Sequence, residues 1–552
     1  MSLPPPKLYS IPAQTQRVAR AAFPKGSLCL RLSDELGTLF DDQDFADLFP
    51  PQGQPALAPF RLALITVLQF VEGLSDRAAA DAVRGRIDWK YLLCLELDDP
   101  GFDFSVLCEF RARLVEHGAE RRLFERLLAR LRERQLVKAR ERQRTDSTHV
   151  LACVRDLNRL ERVIETLRAA LNALATAAPD WVRIQMPASW VEHYGQRTDE
   201  SRLPATEKER EQRAEAVGRD GYALLDALGR PESPVWLRTI PAVETLRQVW
   251  IQNYVPMLDG GLRWRQKEEL PPSSQRISSP YDPEARYAHK RSTTWVGYKV
   301  HLTETCDPEG PHVITNVQTE EATVNDNDAL PRIHQSLQQA ELLPDQHFVD
   351  GGYMESKHLV ESQRQYGLEL IGPVQSNGRW QQEQTTGFDI GCFAIDWEQN
   401  KALCPEGKTS SSWKPGVDGR GHEVITVGLA KADCSPCPSR SQCTKAKIQH
   451  RVLHLKPQAL HQALQQARRR QKTEEFVEEY KRRAGVEGTI SQAVRAFGLR
   501  RARYVGMAKV RLQHFATAAA LNLERVADWL TGKRPETTRQ SAFAQVMRPV
   551  TA

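Results

Sequence analysis

Residues 144–150 read RTDSTHV: one carboxylate, Asp146, set among Thr145, Ser147 and Thr148 after a long basic stretch. The run RQRTDSTHVLACV is short, β-branched and alternating, which predicts a strand with Asp146 in it or near its end. Small hydroxyls around an acid also make an ordinary cap or turn, because they bond nearby backbone N–H groups. The other reading is a carboxylate that holds a metal ion.

Upstream, residues 1–26 read as an amino-terminal arm and 27–140 as all-helical. The helical periodicity is clear in FRLALITVLQFVEGLSDRAAADAVRGRIDWKYLLCLEL and again in SVLCEFRARLVEHGAERRLFERLLARLRERQL. GLSDRAAADAV predicts a turn into a short helix capped by Ser75. Two short helices beside a basic one make either a helix-turn-helix reader of DNA or a plain bundle. In the first case Arg77, Arg84 and Arg86 meet phosphates or bases.

Charge is informative locally rather than globally. The chain has 76 Lys and Arg against 70 Asp and Glu, a net +6, which does not by itself demand a polyanionic partner. Yet residues 111–144 hold twelve basic residues against five Glu, and 494–511 hold six with no acid. Both stretches suit nucleic acid, and both suit a solvated helix face. MSLPPPKLYS has no apolar signal region, and the longest apolar patch, PALAPFRLALITVLQF, is broken by Arg61, so the expectation is an intracellular chain with no membrane partner. The ten cysteines are unevenly placed, which points to metal binding rather than to bridges.

Downstream of the first strand (141–151), NRLERVIETLRAALNALA opens a helical insertion over 152–285, closed by the Pro- and Ser-rich LPPSSQRISSPYDPEARY. Residues 286–373 return to strands: TTWVGYKVHLTETC and HVITNVQTEEATV alternate as a pair joined by DPEGP. DNDALPRIHQSLQQAEL is helical, and QHFVDGGYMESKHLVESQRQYG is a short strand, a Gly-Gly break and a helix. Asp350 thus falls at the carboxyl end of a strand, where open α/β sheets place their chemistry. Trp295 reads as core rather than as a platform for a base. Residues 374–455 lose the long helices and carry five cysteines, 456–530 are helical, and 531–552 form a tail.

In EEYKRRAGVEGTISQAVRAFGLRRARYVG, Tyr480, Arg483 and Glu487 stand at i, i+3 and i+7, one face of a continuous helix. Gly485 and Gly488 each cost a helix interior about 1 kcal/mol relative to Ala. Either the helix is interrupted there or something approaches its backbone closely. The plainer reading of Glu487 is an exposed acid paired with a neighbouring Arg.

Taken together, TDST, WVGYKVHLTET, FVDGGY and YKRRAGVEGTISQAVR resemble the DDE transposases of bacterial insertion sequences. The likeness is to the branch with a Y-x2-R-x3-E-x6-K signature, within it to the eleven-eighty-two family, and it spans roughly residues 27–530. The resemblance implies an α/β fold: an RNase H-like catalytic core with inserted helical and Cys-rich subdomains, preceded by an all-helical amino-terminal domain. It implies that Asp146, Asp350 and Glu487 are the catalytic acids, supported by Tyr480 and Arg483. Val494 stands where the signature has Lys, with Arg495 beside it; Arg500, Arg501 and Arg503, with Lys509, are the neighbouring cations for phosphate contact. The implied activity is binding of terminal inverted repeats, cleavage there and joining of the 3′-OH to target DNA, by a homodimer or larger assembly in the bacterial cytoplasm at the nucleoid.

The chemistry agrees. Phosphodiester cleavage by in-line attack uses two Mg2+ or Mn2+ ions roughly 3.5–4 Å apart to activate the attacking oxygen and stabilise the leaving one. Hard cations take carboxylate oxygens, so Asp146, Asp350 and Glu487 would be ligands, with Thr145, Ser147 and Thr148 orienting the first.

Cys404, Cys434, Cys437 and Cys443 are spaced C-x29-C-x2-C-x5-C, the pattern of a tetrahedral Zn2+ knuckle, with Cys392 and His422 as spare ligands. The same cysteines also fit an iron-sulfur nuclease; VDGGYMESK then supplies Asp350, Glu355 and Lys357, but RTDSTHV goes unexplained. A third reading is a catalytically silent, domesticated DNA-binding protein that keeps the fold and the basic helices.

Overall fold

In the computed structural model, RTDSTHV lies in the central strand of a six-stranded mixed sheet. Its strands, numbered in chain order, are β1 (Gln143–Leu151), β2 (Arg286–Lys290), β3 (Thr293–Thr305), β4 (Ile314–Glu321), β5 (Gln346–Phe348) and β6 (Glu369–Ile371). The structure describes all residues except 1, 4–8, 199–202, 259, 376–379, 384–386, 447–449, 535–542, 544–545 and 547–552. Part of the 1–26 arm and most of the 531–552 tail therefore lie outside the described residues.

Strand β3 runs antiparallel to β1 along the whole of β1, and also pairs antiparallel with β2 and then β4. On the other side β1 meets β5 in parallel, and β5 meets β6 in parallel. A long antiparallel edge followed by short parallel strands is the α/β, RNase H-like core that the sequence led us to expect. From Gly297 to Thr305 every residue of β3 is buried, as befits a strand covered on both faces. Gly297 itself has φ +155°, and a Cβ there would stand 2.0 Å from the Val150 carbonyl oxygen, so only glycine lets β3 cross β1 this closely.

The helix Met507–Leu530 is buried along most of its length, from Val510 to Ala527. It packs against β4 on one side and against the early helices Pro59–Glu72 and Arg122–Glu133 on the other. Asn522 both accepts from the Ile314 N–H (2.7 Å) and donates to its carbonyl (2.9 Å), and Phe124 stacks on Phe515 at 6.0 Å. As a result the helices between 27 and 140 share one hydrophobic core with the sheet. Ser75 caps Asp76–Gly85 as its sequence predicts, accepting from Ala78 N–H at 3.2 Å.

The two inserted regions have cores of their own. Arg159–Ala177, Glu207–Gly229 and Pro241–Asn253 pack around Trp250 and Tyr254. The Cys-rich region builds small antiparallel sheets, chiefly Ser410–Val417, Glu423–Leu429 and Val452–Leu455. Trp295 is buried, donating to the Tyr298 carbonyl. Among the described residues no helix is long and apolar enough to cross a membrane.

Four imidazoles are sealed in this core. His347 lies between Thr145 Oγ1 (2.6 Å) and His334 (2.9 Å), and His514 meets Thr319. Burial pushes His301, His334 and His514 down to about 3 and His347 well below its usual value. The folded chain holds them neutral while the unfolded chain protonates them near 6.5, so their contribution is intact above that pH and is lost as pH falls toward 3. Thermal unfolding should therefore move to lower temperature already between pH 6.5 and 5, before ordinary carboxylates titrate. A midpoint that stays level over that interval would contradict these neutral histidines.

Candidate active site

Asp146 is the fourth residue of β1, two beyond Arg144, where pairing with β5 stops. The sheet opens at that point, and Asp350 enters the opening from the turn after β5, its Oδ1 accepting from Gly352 N–H at 2.8 Å. Glu487 comes from the helix Gly485–Phe497. All three line one crevice of about 650 Å³, together with Lys290, Arg291, Lys299, Arg483 and Arg500. Residues separated by hundreds of positions are thus brought together.

Arg483 organises them. Its guanidinium donates to Asp146 Oδ2 and to Glu487 Oε1, each at 2.7 Å. Asp146 is 14% exposed and Glu487 63%, so one arm of this clasp is fixed in the protein and the other is hydrated. Burial pushes the Asp146 carboxyl up; Arg483 and the Ser147 N–H oppose this, and the nearby Asp350 adds to it. Among the described residues no three His, Cys, Asp or Glu side chains form a group that could hold a metal ion, and at the acids it is the guanidinium that stands between Asp146 and Glu487. The donors are nonetheless all carboxylate oxygens, one of them destabilised as an anion by burial and by a like charge, which is the chemistry a hard divalent cation fits.

The face carrying Tyr480, Arg483 and Glu487 is built from three segments rather than one continuous helix: Glu474–Tyr480, a 3-10 turn over Lys481–Ala484, and Gly485–Phe497. Tyr480 donates to the Val349 carbonyl at 3.1 Å, tying this element to the residue before Asp350. Both explanations for the glycines hold at Gly485, since a Cβ there would stand 2.0 Å from the Arg144 guanidinium. Arg144 donates to the Arg482 carbonyl (2.6 Å) and to the fully buried Glu304 (2.7 Å). Glu304 also accepts from Arg525 (2.7 Å) and Thr489 (2.6 Å). Burial pushes its carboxyl up, but Arg525 and Arg144 outweigh burial and hold it below its usual value. The first letter of RTDSTHV is therefore the strut that fixes the Glu487 helix, a role sequence reasoning missed; a charged residue inside a strand, with glycines on a distant helix, was its only signal.

The hydroxyls do not behave as expected. Among the described residues none of the three bonds the Asp146 carboxylate. Thr145 points inward to Thr303 (2.6 Å) and His347, Thr148 accepts from Arg500 (2.8 Å), and Ser147 donates to Asp326 (3.1 Å), touching Asp146 only through its backbone N–H (2.7 Å). The alternation of a strand explains Thr145, which sits on the opposite face from Asp146. Asp326, also missed, is a fourth acid beside the crevice; it opens the helix Asp326–Gln339 and read only as part of that helix.

The other cations divide. Arg86 is committed to the fold by Glu72 and by Asp88 (2.7 Å). Arg77, over the Phe104 ring at 4.8 Å, and Arg84 are exposed. Arg495 and Arg500 line a second crevice with Asp146, Glu487 and Val494. Arg501, Arg503 and Lys509 lie on the surface beyond it, Arg503 over the Phe70 ring at 4.7 Å.

Cys404, Cys434, Cys437 and Cys443 line one small pocket, although they do not close into a metal-holding group. In the turn after Cys404, Gly407 N–H donates to its carbonyl (2.9 Å) and Lys408 N–H to its sulfur (3.3 Å). Cys392 and His422 are exposed and line no part of this pocket. Glu355 accepts from Asn327 and Lys357 pairs with Glu361, both away from the crevice.

Two family models match the chain: one described as a transposase domain over residues 17–113, and one described as a transposase DDE domain over 403–527. The first range includes Arg77, Arg84 and Arg86; the second includes the four pocket cysteines, Tyr480, Arg483 and Glu487. Asp146 and Asp350 lie outside both. No curated protein and no solved structure matches.

Proposed function

Because the two matched domains support an insertion-sequence DDE transposase, we propose that this chain binds the terminal inverted repeats of its element, cleaves DNA there and joins the freed 3′-OH to target DNA. The observation that carries the reading is the meeting of Asp146, Asp350 and Glu487 in one crevice that Lys290, Arg291, Lys299, Arg483 and Arg500 also line. The eleven-eighty-two family is our assignment from TDST, WVGYKVHLTET, FVDGGY and YKRRAGVEGTISQAVR. A homodimer or larger assembly on DNA, working in the bacterial cytoplasm, belongs to the same proposal.

Asp146, Asp350 and Glu487 would hold two Mg2+ or Mn2+ ions, which supply the charge that activates the attacking oxygen and stabilises the leaving one. The chain's own residues do the rest. Arg483 brings a fixed guanidinium to the place where phosphoryl oxygens gather charge. Tyr480 and Arg144 hold its segment against the sheet, so Glu487 and Arg483 meet the strand at a set depth. Arg495 and Arg500 follow the backbone past Val494, with Arg501, Arg503 and Lys509 extending the track. Of the early arginines, Arg77 and the exposed Arg84, which also pairs with Asp81, are assigned to the element end, since Arg86 is occupied by two carboxylates.

The test is cleavage of a labelled duplex carrying the terminal repeat read from the genomic flank, with Mg2+ or Mn2+, followed by joining to a plasmid. Cutting at the repeat boundary and transfer of the labelled strand are expected. Binding with no cutting under either metal would leave the silent binder standing. Neither that reading nor the iron-sulfur nuclease has a supporting observation.

We further propose that the four cysteines hold a structural Zn2+. The shared pocket and the N–H donor aimed at Cys404 sulfur support it. Elemental analysis should find about one zinc per chain, and Cys437→Ser should remove it. Visible absorbance with bound iron, or metal-free protein of unchanged stability, would refute zinc.

A further inference from the structure

The β2–β3 hairpin contributes Lys290 and Arg291 to the crevice that Glu487 also lines, Arg291 in the left-handed region at φ +56°. Lys290 Nζ lies 3.1 Å from Asp326 Oδ2, and Lys299 Nζ lies 3.1 Å from Asp326 Oδ1. The two lysines differ in kind. Lys299 is 11% exposed and also donates to the Val324 carbonyl at 2.6 Å, so it is used within the fold. Lys290 is 53% exposed while its partner is 8% exposed: a buried anion holds an ammonium that is half in the crevice. Burial pushes the Asp326 carboxyl up, but Lys299 and Lys290 outweigh burial and hold it below its usual value.

Of the remaining cations at the crevice, Arg291 is exposed and has no side-chain partner among the described residues, while the other two have partners on its walls. Arg483 is clasped by Asp146 and Glu487, and Arg500 donates to Thr148. An ammonium has three donors, and Asp326 takes one. A half-exposed pair of this sort contributes little to stability, so stability alone does not account for the arrangement. On the helix opposite, position 494 is an apolar Val.

We propose that Lys290 grips a DNA phosphate next to the one being cleaved, and that Asp326 is its positioning residue. The inference rests on the transposase reading and deepens it: Asp326 links this lysine to Ser147, the neighbour of Asp146, so the grip and the cutting site are registered through one carboxylate.

The test measures affinity for the labelled terminal-repeat duplex as a function of salt, and cleavage at saturating DNA. Each phosphate contact contributes about 0.9 to the slope of log affinity against log salt. Lys290→Ala should lower that slope by about 0.9 and weaken binding about tenfold or more. Lys290→Arg should restore the slope, and Lys357→Ala, remote and paired with Glu361, should leave it alone. Asp326→Asn should keep the slope but lower cleavage at saturation. Wild-type binding with an unchanged slope in Lys290→Ala overturns this proposal and leaves the transposase reading intact. A wild type that shows no salt-dependent binding overturns both. Should Asp326→Asn fail to fold, the Lys290 pair decides alone.

Discussion

Asp146→Asn, Asp350→Asn and Glu487→Gln should each bind the terminal-repeat duplex and fail to cut it, with cleavage down on the order of 10²–10⁴-fold. Each substitution keeps the size of the side chain and removes the charge a divalent cation needs, and electrostatic stabilisation of this kind is worth several kcal/mol, with each 1.36 kcal/mol a factor of ten. The three need not be equal. Asp146 is clasped and nearly buried, so its replacement also strips Arg483 of its fixed partner, whereas Glu487 is largely hydrated and can shift. Asp146→Asn should therefore be the most severe, with Arg483 then paired to Glu487 alone. Four proteins that behave alike, all cutting or all inert, would make the trio structural.

The second large effect is on stability. Glu304→Ala should cost about 3–5 kcal/mol, the penalty for breaking a buried ion pair by removing one partner. Here one anion serves two guanidiniums, so Arg144 and Arg525 are both left uncompensated beneath the Glu487 helix. Urea unfolding followed by circular dichroism gives the measurement. A loss of under about 0.5 kcal/mol, the size of an ordinary surface change, would show that the strut carries nothing. Because Arg144 also bonds the Arg482 carbonyl, the same variant should cut more slowly even when folded.

The parts of this fold legible in the sequence were those encoded locally. Ser75 could be read as a cap because a cap needs only its next few residues, and β3 and β4 because alternation and a turn are short-range signals. The crevice was legible in its acids, since acid-bearing strand ends and a glycine-flanked Glu are uncommon. What surrounds those acids was not. Arg144 finds Glu304 and Arg482 across 160 and 338 positions, and no periodicity announces such partners. Asp326 was hidden by its own helix, and the hydroxyls of TDST were assigned to Asp146 although strand alternation sends Thr145 to the other face. Arg86 was counted as a free cation because the sequence does not show that Glu72 and Asp88 close on it. The early helices carry an amphipathic pattern, which says that an apolar face is covered but not that a helix near the other end of the chain covers it.

That last pairing bears on how the protein is made. Arg503 reaches the Leu74 carbonyl over 429 positions, and the helix Met507–Leu530 seals helices that leave the ribosome long before it does. The early helices cannot complete their core until almost the whole chain has been synthesised, and contacts this distant close slowly. A chain truncated before residue 507 should leave the apolar faces of those early helices bare and be cut by protease faster than the full chain.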